Sequence, residues 1–313
     1  MKKFMLPILI CPSCLPDEIE PECRVIEEEG DDIIEGSLYC PGCKRSYEIK
    51  EGVAFLDTAN REGETVSGSK YEDESVLSSY LWSHYCDILK DPDESEAYRQ
   101  WSELVRSGSG VSLDAGCAVG RFTFEMALKS EFSIGIDNSM SFIRASRELM
   151  KKRRMTLRLK QEGMIEKYEE LALPETWNFD NVEFIVGDAQ ALPIRSESIS
   201  SFGCLNLVDK LPAPVRHIEE MNRITKKRQA QFLLSDPFSW STDVAEQKAW
   251  LGGTDKGPYA GRGMENIVKL LKGEKGDLSP VWDIEEQGHV WWKIRTHSNH
   301  FELIRSCFIK AAR

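Results

Sequence analysis

No stretch of this 313-residue chain approaches the roughly 18 consecutive apolar positions of a membrane-spanning helix, so no such span is expected. The apolar start, residues 1–10, is too short for a secretory leader and runs directly into a cysteine pair, which makes the cytoplasm the expected compartment. Positive charge is also scarce. Lys and Arg number 40 against 52 Asp and Glu, a formal net charge of −12. A wide nucleic-acid footprint needs clustered positive charge, so this balance argues against one and leaves room only for a local basic groove. No internal repeat or low-complexity tract is visible, which sets aside solenoid and fibrous architectures. What remains is an ordinary globular composition, 41% hydrophobic, at a length that suggests two domains.

Nine cysteines are present, and four of them form two C-x-x-C pairs, Cys11/Cys14 and Cys40/Cys43. In a reducing compartment that spacing points to metal rather than to disulfides. Each turn presents two thiolates, and together they make a tetrahedral Zn–S₄ site. Residues 1–60 therefore read as a small zinc ribbon, with metal binding supplying folding energy on the order of 10 kcal/mol that so few apolar residues cannot. Cys23 is unpaired and reads as a bystander. Six basic residues against thirteen acidic ones give this module about −7, unlike a ribbon that grips RNA phosphates. A structural cap or a protein-docking piece is the expectation.

Residues 111–121 read V-S-L-D-A-G-C-A-V-G-R: a short apolar strand, a loop bracketed by Gly116 and Gly120, then a helix. Such a corner places a ligand beyond the strand ends of a doubly wound sheet. The middle glycine that a dinucleotide pyrophosphate needs is missing, since the spacing is G-x-x-x-G. Three further strands follow: residues 132–137 ending in Asp137, residues 182–187 followed by Asp188, and residues 199–209 containing Asn206 and Asp209. D-x-G-x-x-x-G followed by these acidic strand ends resembles motif I and its successors in class I S-adenosylmethionine-dependent methyltransferases. The resemblance implies an α/β, Rossmann-like seven-stranded sheet. It implies cofactor contacts from Asp114, Gly116, Cys117, Gly120, Asp137, Asn138, Asp188, Ala189 and Asn206, with Asp137 on the ribose and Asp188 beside the adenine.

The chain divides into a zinc ribbon (1–60), a linker with lid helices (61–110) and a methyltransferase domain (111–313) with an insertion at about 238–288. Helical spacing is expected near residues 76–85 and 94–106, where Tyr80, Trp82, His84 and Tyr85 could line the site. Residues 141–158 also read as a helix, rich in Arg and Lys, and residues 162–174 as another. The basic run from Arg144 to Lys160 reads as a solvated helix face or, alternatively, a positive rim for an acidic partner. Residues 290–295 and 301–311 read as the closing antiparallel pair.

A narrower resemblance rests on the blocks at residues 71–85, 113–121, 135–143, 187–189, 206–212, 235–240 and 250–253. They are similar to the methyltransferase domain of ovothiol synthases, which N-methylates the imidazole of a mercaptohistidine; Asp236 stands where that resemblance implies an uncharged residue. It implies a small imidazole or histidine-type acceptor, with Asn206, Asp209, His84 and Tyr85 orienting it or accepting its proton. Residues 10–14 and 36–56 resemble the short zinc-ribbon domain found beside, or as a partner of, several methyltransferases. Two other functions fit the sequence: a ribosomal-RNA base methyltransferase, and a non-catalytic cofactor-binding scaffold docking a protein through its ribbon.

Overall fold

The computed structural model describes residues 1–58 and 70–313; most of the polar linker expected at 57–70 lies outside the described residues. The chain opens with an antiparallel meander, β1 (Glu22–Glu29), β2 (Asp32–Tyr39), β3 (Ser46–Lys50) and β4 (Val53–Leu56). Strict alternation sets its faces: in β3, Tyr47 and Ile49 turn inward while their neighbours meet water. Two helices follow, α1 (Glu74–Leu89) and α2 (Ala97–Leu104). Asp73 caps α1 by accepting from the Ser75 N–H at 2.7 Å, and Lys90 ends it in the left-handed conformation.

The rest alternates strand and helix: β5 (Val111–Ala115), α3 (Arg121–Ala127), β6 (Phe132–Asp137), α4 (Met140–Lys152), β7 (Arg154–Glu162), β8 (Ile165–Ala172) and β9 (Val182–Gly187). It continues through β10 (Ile199–Leu205), α5 (Pro214–Ile224), β11 (Gln231–Asp236), α6 (Gly263–Leu271), β12 (Asp283–His297) and β13 (His300–Ala312). β9, β6, β5, β10, β11, β13 and β12 lie side by side in that order, parallel except where β13 runs against both β11 and β12. This is the expected seven-stranded Rossmann-like sheet. Its inner strands are almost wholly apolar, β9 being buried throughout, because layers cover both faces.

The meander does not stand apart. β4 pairs in parallel with β9, Phe55 opposite Val186 and Leu56 opposite Gly187, so one eleven-stranded sheet runs through both regions. Met5, Leu9 and Leu38 share a buried cluster with Ile134, Ile185 and Leu192. Among the described residues, no helix is long and apolar enough to cross a membrane.

One expectation is overturned. Residues 162–174 are not a helix, and the helix expected over 141–158 stops at Lys152, with Arg153 left-handed at φ 60°. β7 and β8 form a hairpin instead, turning at Gly163 with φ +56°. The period is two: Leu157, Leu159 and Leu171 face inward between charged neighbours. Nor is the basic run a plain solvated face. Arg147 is buried, bonded to Asp32 at 2.7 and 2.9 Å and to Glu183, while Arg144 pairs with Glu51, Lys151 with Asp32 and Arg158 with Glu74.

Candidate functional site

Parallel strands end on one edge, so the sequence-marked positions after β5, β6, β9, β10 and β11 gather there. Gly116 and Gly120 take φ of +72° and +81°; a Cβ would lie 2.9 Å from Leu207 at the first and 2.7 Å from Phe184 at the second. Only glycine fits both demands. The loop is tied to β6: the Gly116 and Cys117 N–H groups donate to the Ile136 carbonyl, and the Ala118 N–H donates to Asp137 Oδ2 at 2.9 Å. Asp137 Oδ1 accepts from the Ser139 N–H at 2.9 Å. Burial raises the Asp137 pKa to about 6 against these backbone donors.

Asp114 sits behind the loop, 1% exposed, accepting from Thr123 Oγ1 at 2.8 Å; burial lifts its pKa to about 7. It braces α3 from beneath. Cys117 is buried, and Asn138 is exposed at the rim. Asp188 Oδ1 accepts from the Gln190 backbone at 2.8 Å and from its side chain at 3.1 Å. The Ala189 carbonyl receives His217 Nδ1 at 2.9 Å.

The ends of β10 and β11 hold buried polar atoms without partners. Asn206, at the left-handed φ of 55°, accepts from Ser306 Oγ at 2.6 Å through Oδ1, while its Nδ2 bonds to nothing described. Asp209 Oδ2 accepts from the Ser239 N–H at 2.7 Å and pairs with Lys210 at 3.2 Å; its Oδ1 is buried and bare. Trp240 Nε1 is likewise bare, its ring stacked between Phe238 and Trp250. Buried polar atoms are nearly always bonded, so three such atoms at one strand edge mark a place for a ligand. Asp236 is fully buried and accepts from the Phe238 and Asp209 N–H groups at 2.7 and 3.2 Å. Burial and neighbouring Asp209 raise its pKa well above the ordinary carboxylate value.

The lid reaches the site through Tyr71 and Tyr80, which pack on Phe142, while Glu72 accepts from the Met140 and Ser141 N–H groups at the start of α4. His84 is buried, its Nε2 2.6 Å from the Tyr98 hydroxyl and its Nδ1 without a partner; burial and then Arg121 lower its pKa well below 6.5, keeping it neutral. Tyr85 and Trp82 depart from expectation. Tyr85 is fully buried and donates to the Val119 carbonyl at 2.7 Å, so its hydroxyl holds the glycine loop and is not free for an acceptor. Trp82 turns the other way, against Phe301, and donates to Asp91 at 2.9 Å. Tyr98 and Ser306 escaped sequence reasoning because neither belongs to a motif, and only folding brings them to His84 and Asn206.

At the other end of the sheet, the Sγ atoms of Cys11, Cys14, Cys40 and Cys43 lie within 4.8 Å of one another. A zinc–sulfur length of about 2.3 Å gives tetrahedral sulfur edges of roughly 3.8 Å. The Cys11–Cys43 and Cys14–Cys40 separations are 3.6 and 3.5 Å, so the four thiolates fit a structural zinc. Tyr47 stands 3.2 Å from Cys11 Sγ and donates to Ser13 at 2.8 Å, an outer support for that ligand. Cys23 lies on β1, outside the cluster.

Residues 2–52 match the family of Trm112p-like proteins, and residues 113–230 match the methyltransferase domain family. A search of curated proteins returned no match. Among solved structures, the chain is similar to an S-adenosylmethionine-dependent methyltransferase from Methanosarcina mazei at 19% identity and a TM-score of 0.42, covering 67% of this chain and 94% of that one. It is also similar to one from Aquifex aeolicus (14%, TM-score 0.43, 76% and 97% covered). A third is the magnesium protoporphyrin IX methyltransferase of Synechocystis with S-adenosylmethionine bound (14%, 0.41, 77% and 97%). The chain thus carries a methyltransferase domain joined to a Trm112p-like domain whose four cysteines fit a structural zinc.

Proposed function

We propose that this chain N-methylates a small imidazole or histidine-type acceptor. The observation that carries the reading is the trio of buried, unpartnered atoms: Asn206 Nδ2, Asp209 Oδ1 and Trp240 Nε1. An imidazole offers Asp209 Oδ1 the donor it lacks, a ring N–H, and brings a flat aromatic body to the Phe238–Trp240–Trp250 stack. With a pKa near ~6.5 the free ring is largely neutral at pH 7 and needs no strong base, so orienting it is the main task.

Gly116, Cys117 and Gly120 would cradle the cofactor's amino-acid end, Asp137 with Asn138 the ribose, and Asp188 with Ala189 the adenine, with Asn206 bordering both ligands and Asp114 supporting the loop from below. When bound, S-adenosylmethionine supplies a methyl group on a sulfonium, a good leaving group for in-line displacement. Asp209 Oδ1 would take the ring N–H and then stabilise the imidazolium that forms, an electrostatic contribution made where charge develops. His84, neutral and bonded to Tyr98, orients the lid under Tyr80. The RNA alternative loses support because most of the Arg144–Lys160 run is spent on internal ion pairs.

The test is turnover with histidine, mercaptohistidines and histidine peptides beside ribosomal RNA fragments, from low to physiological salt. Asp209→Asn should lower kcat/KM for the imidazole by about 10²–10³ while leaving cofactor affinity unchanged. Methylation of RNA alone, or full activity in Asp209→Asn, would show the reading to be wrong.

A further inference from the structure

Three arginines are more than nine-tenths buried among the described residues: Arg121, Arg147 and Arg295. Arg121 is bonded to both oxygens of Asp87 and to Glu125, and Arg147 to Asp32 and Glu183. Arg295, 7% exposed on β12, makes no hydrogen bond or ion pair with any described residue. A guanidinium carries five donors and stays charged; with no protein acceptor, those of Arg295 are left to the water of the cleft they border, where an anion can meet them. Burial pulls its pKa below the usual arginine value; Asp91, Glu169 and Asp93 oppose that pull from a distance, and none bonds to it.

Arg295 lines a groove of about 520 Å³ between the first half of α1, the β7–β8 hairpin and the β12–β13 hairpin. Tyr71 and Tyr80 form part of the same groove. The Tyr71 carbonyl accepts from Ser139 Oγ at 3.3 Å, and the Ser139 N–H donates to Asp137, so the groove adjoins the end of β6. The groove's other arginine, Arg158, is neutralised by Glu74 and Glu166, while Asp73 and Glu302 outnumber its one other cation, Lys160, along the lining. A polyanion would meet that acidic lining. A carboxylate on a molecule that also carries an ammonium, an α-amino-acid head, would find its counter-ion inside and no repulsion outside.

We propose that Arg295 binds the carboxylate of the methyl acceptor and so selects an amino-acid-type substrate. This rests on the reading that a small acceptor is methylated beside Asn206, Asp209 and Trp240. The fork of a guanidinium accepts a carboxylate in two parallel bonds, which lysine cannot reproduce.

The experiment compares each acid with its methyl ester: histidine and histidine methyl ester, and cysteine and cysteine methyl ester as a pair without the imidazole. Calorimetry on the full chain loaded with S-adenosylhomocysteine reads binding, and methyl transfer reads turnover. The wild-type chain should bind the acid at least about tenfold more tightly than its ester, the size of one lost charge-assisted contact. Arg295→Met should bring the two within about twofold with ester and cofactor affinity unchanged, and Arg295→Lys should fall between. Equal binding of acid and ester by the wild-type chain, or no acid binding in either pair, overturns the assignment without depending on how any variant folds. An Arg295-dependent preference confined to the cysteine pair would uphold the carboxylate site and defeat the imidazole acceptor. Equal methylation of histidine and its ester would do the reverse.

Discussion

Replacing Arg147 by methionine tests whether the Trm112p-like region and the methyltransferase sheet are one structure. Arg147 belongs to α4, yet it bonds Asp32 of the meander at 2.7 and 2.9 Å and Glu183 of β9. Glu183 is fully buried; its other bonds are to the backbone N–H groups of Phe184, at 2.7 Å, and Lys2. Arg147→Met leaves that carboxylate buried and short of its countercharge, a loss typically of about 3–5 kcal/mol. Asp32 suffers less because Lys151 still reaches it at 3.1 Å, so the lower half of the range is expected. At about 2–4 °C per kcal/mol for large domains, the melting temperature should drop by roughly 6–15 °C. Glu183→Gln should also destabilise, while Arg147→Met with Glu183→Gln should cost less than the two separately, since no buried charge is then orphaned. pH gives a second check. Burial alone would raise Asp32, but Arg147 and its neighbours outweigh it and hold the pKa at about 2. The stability so gained is complete above the unfolded value of about 3.8 and is lost as pH falls toward 2. Without Arg147 the folded value moves toward 3.8, so that pH-dependent loss should shrink and finish at higher pH. Urea unfolding from pH 2.5 to 7 measures both effects. A cost below about 1 kcal/mol for Arg147→Met, or strict additivity in the double variant, would refute the reasoning.

Cofactor affinity should rise with pH through about 6, because Asp137 is held near that value in the free protein and ribose hydroxyls donate better to its ionised form. Calorimetry in buffers of different ionisation enthalpy should show proton release below pH 7, and Asp137→Ala should weaken binding by about 1.5–3 kcal/mol; affinity flat from pH 5 to 7.5 would count against the assignment. Elemental analysis should find about one zinc per chain, lost in a Cys11→Ser/Cys43→Ser variant. Because the ribbon's core is continuous with the sheet, that loss should lower the unfolding midpoint of the whole chain; a folded native ribbon without metal would contradict the zinc site.

The parts of the fold that were legible in the sequence are those with strong local signals. Strands β6 and β9 carry mostly apolar runs ending in Asp137 and Gly187, β5 and β10 run directly into Gly116 and Asn206, and the two C-x-x-C turns announce their own geometry. The β7–β8 hairpin was hidden because charged residues on its outer face continue the basic character of α4, masking the change of period at Arg153. The pairing of Arg147 with Asp32, 115 positions away, leaves no local trace, and neither does the unmet charge of Arg295. Asp236, an odd residue by resemblance, makes sense only after folding. Burial and neighbouring Asp209 raise its pKa, which favours the uncharged form that the resemblance implies at that position.

The acidic ribbon also acquires a physical role once the sheet is seen whole. β9 would otherwise be the outer strand of the seven, with a row of unpaired backbone groups ready to pair with any passing chain. β4 occupies that edge, and its last partner, Leu56, lies opposite Gly187, one residue before Asp188. α4, which Arg147 fastens to the meander, begins at the Ser139 cap beside Asp137. Two strand ends assigned to the cofactor are therefore braced by the Trm112p-like region, one through sheet pairing and one through a buried ion pair. A module used this way needs a rigid internal frame and a matching edge, and it needs no positive surface. Four thiolates on one zinc supply the frame, β4 supplies the edge, and the net charge of residues 1–60, about −7, is free to face water.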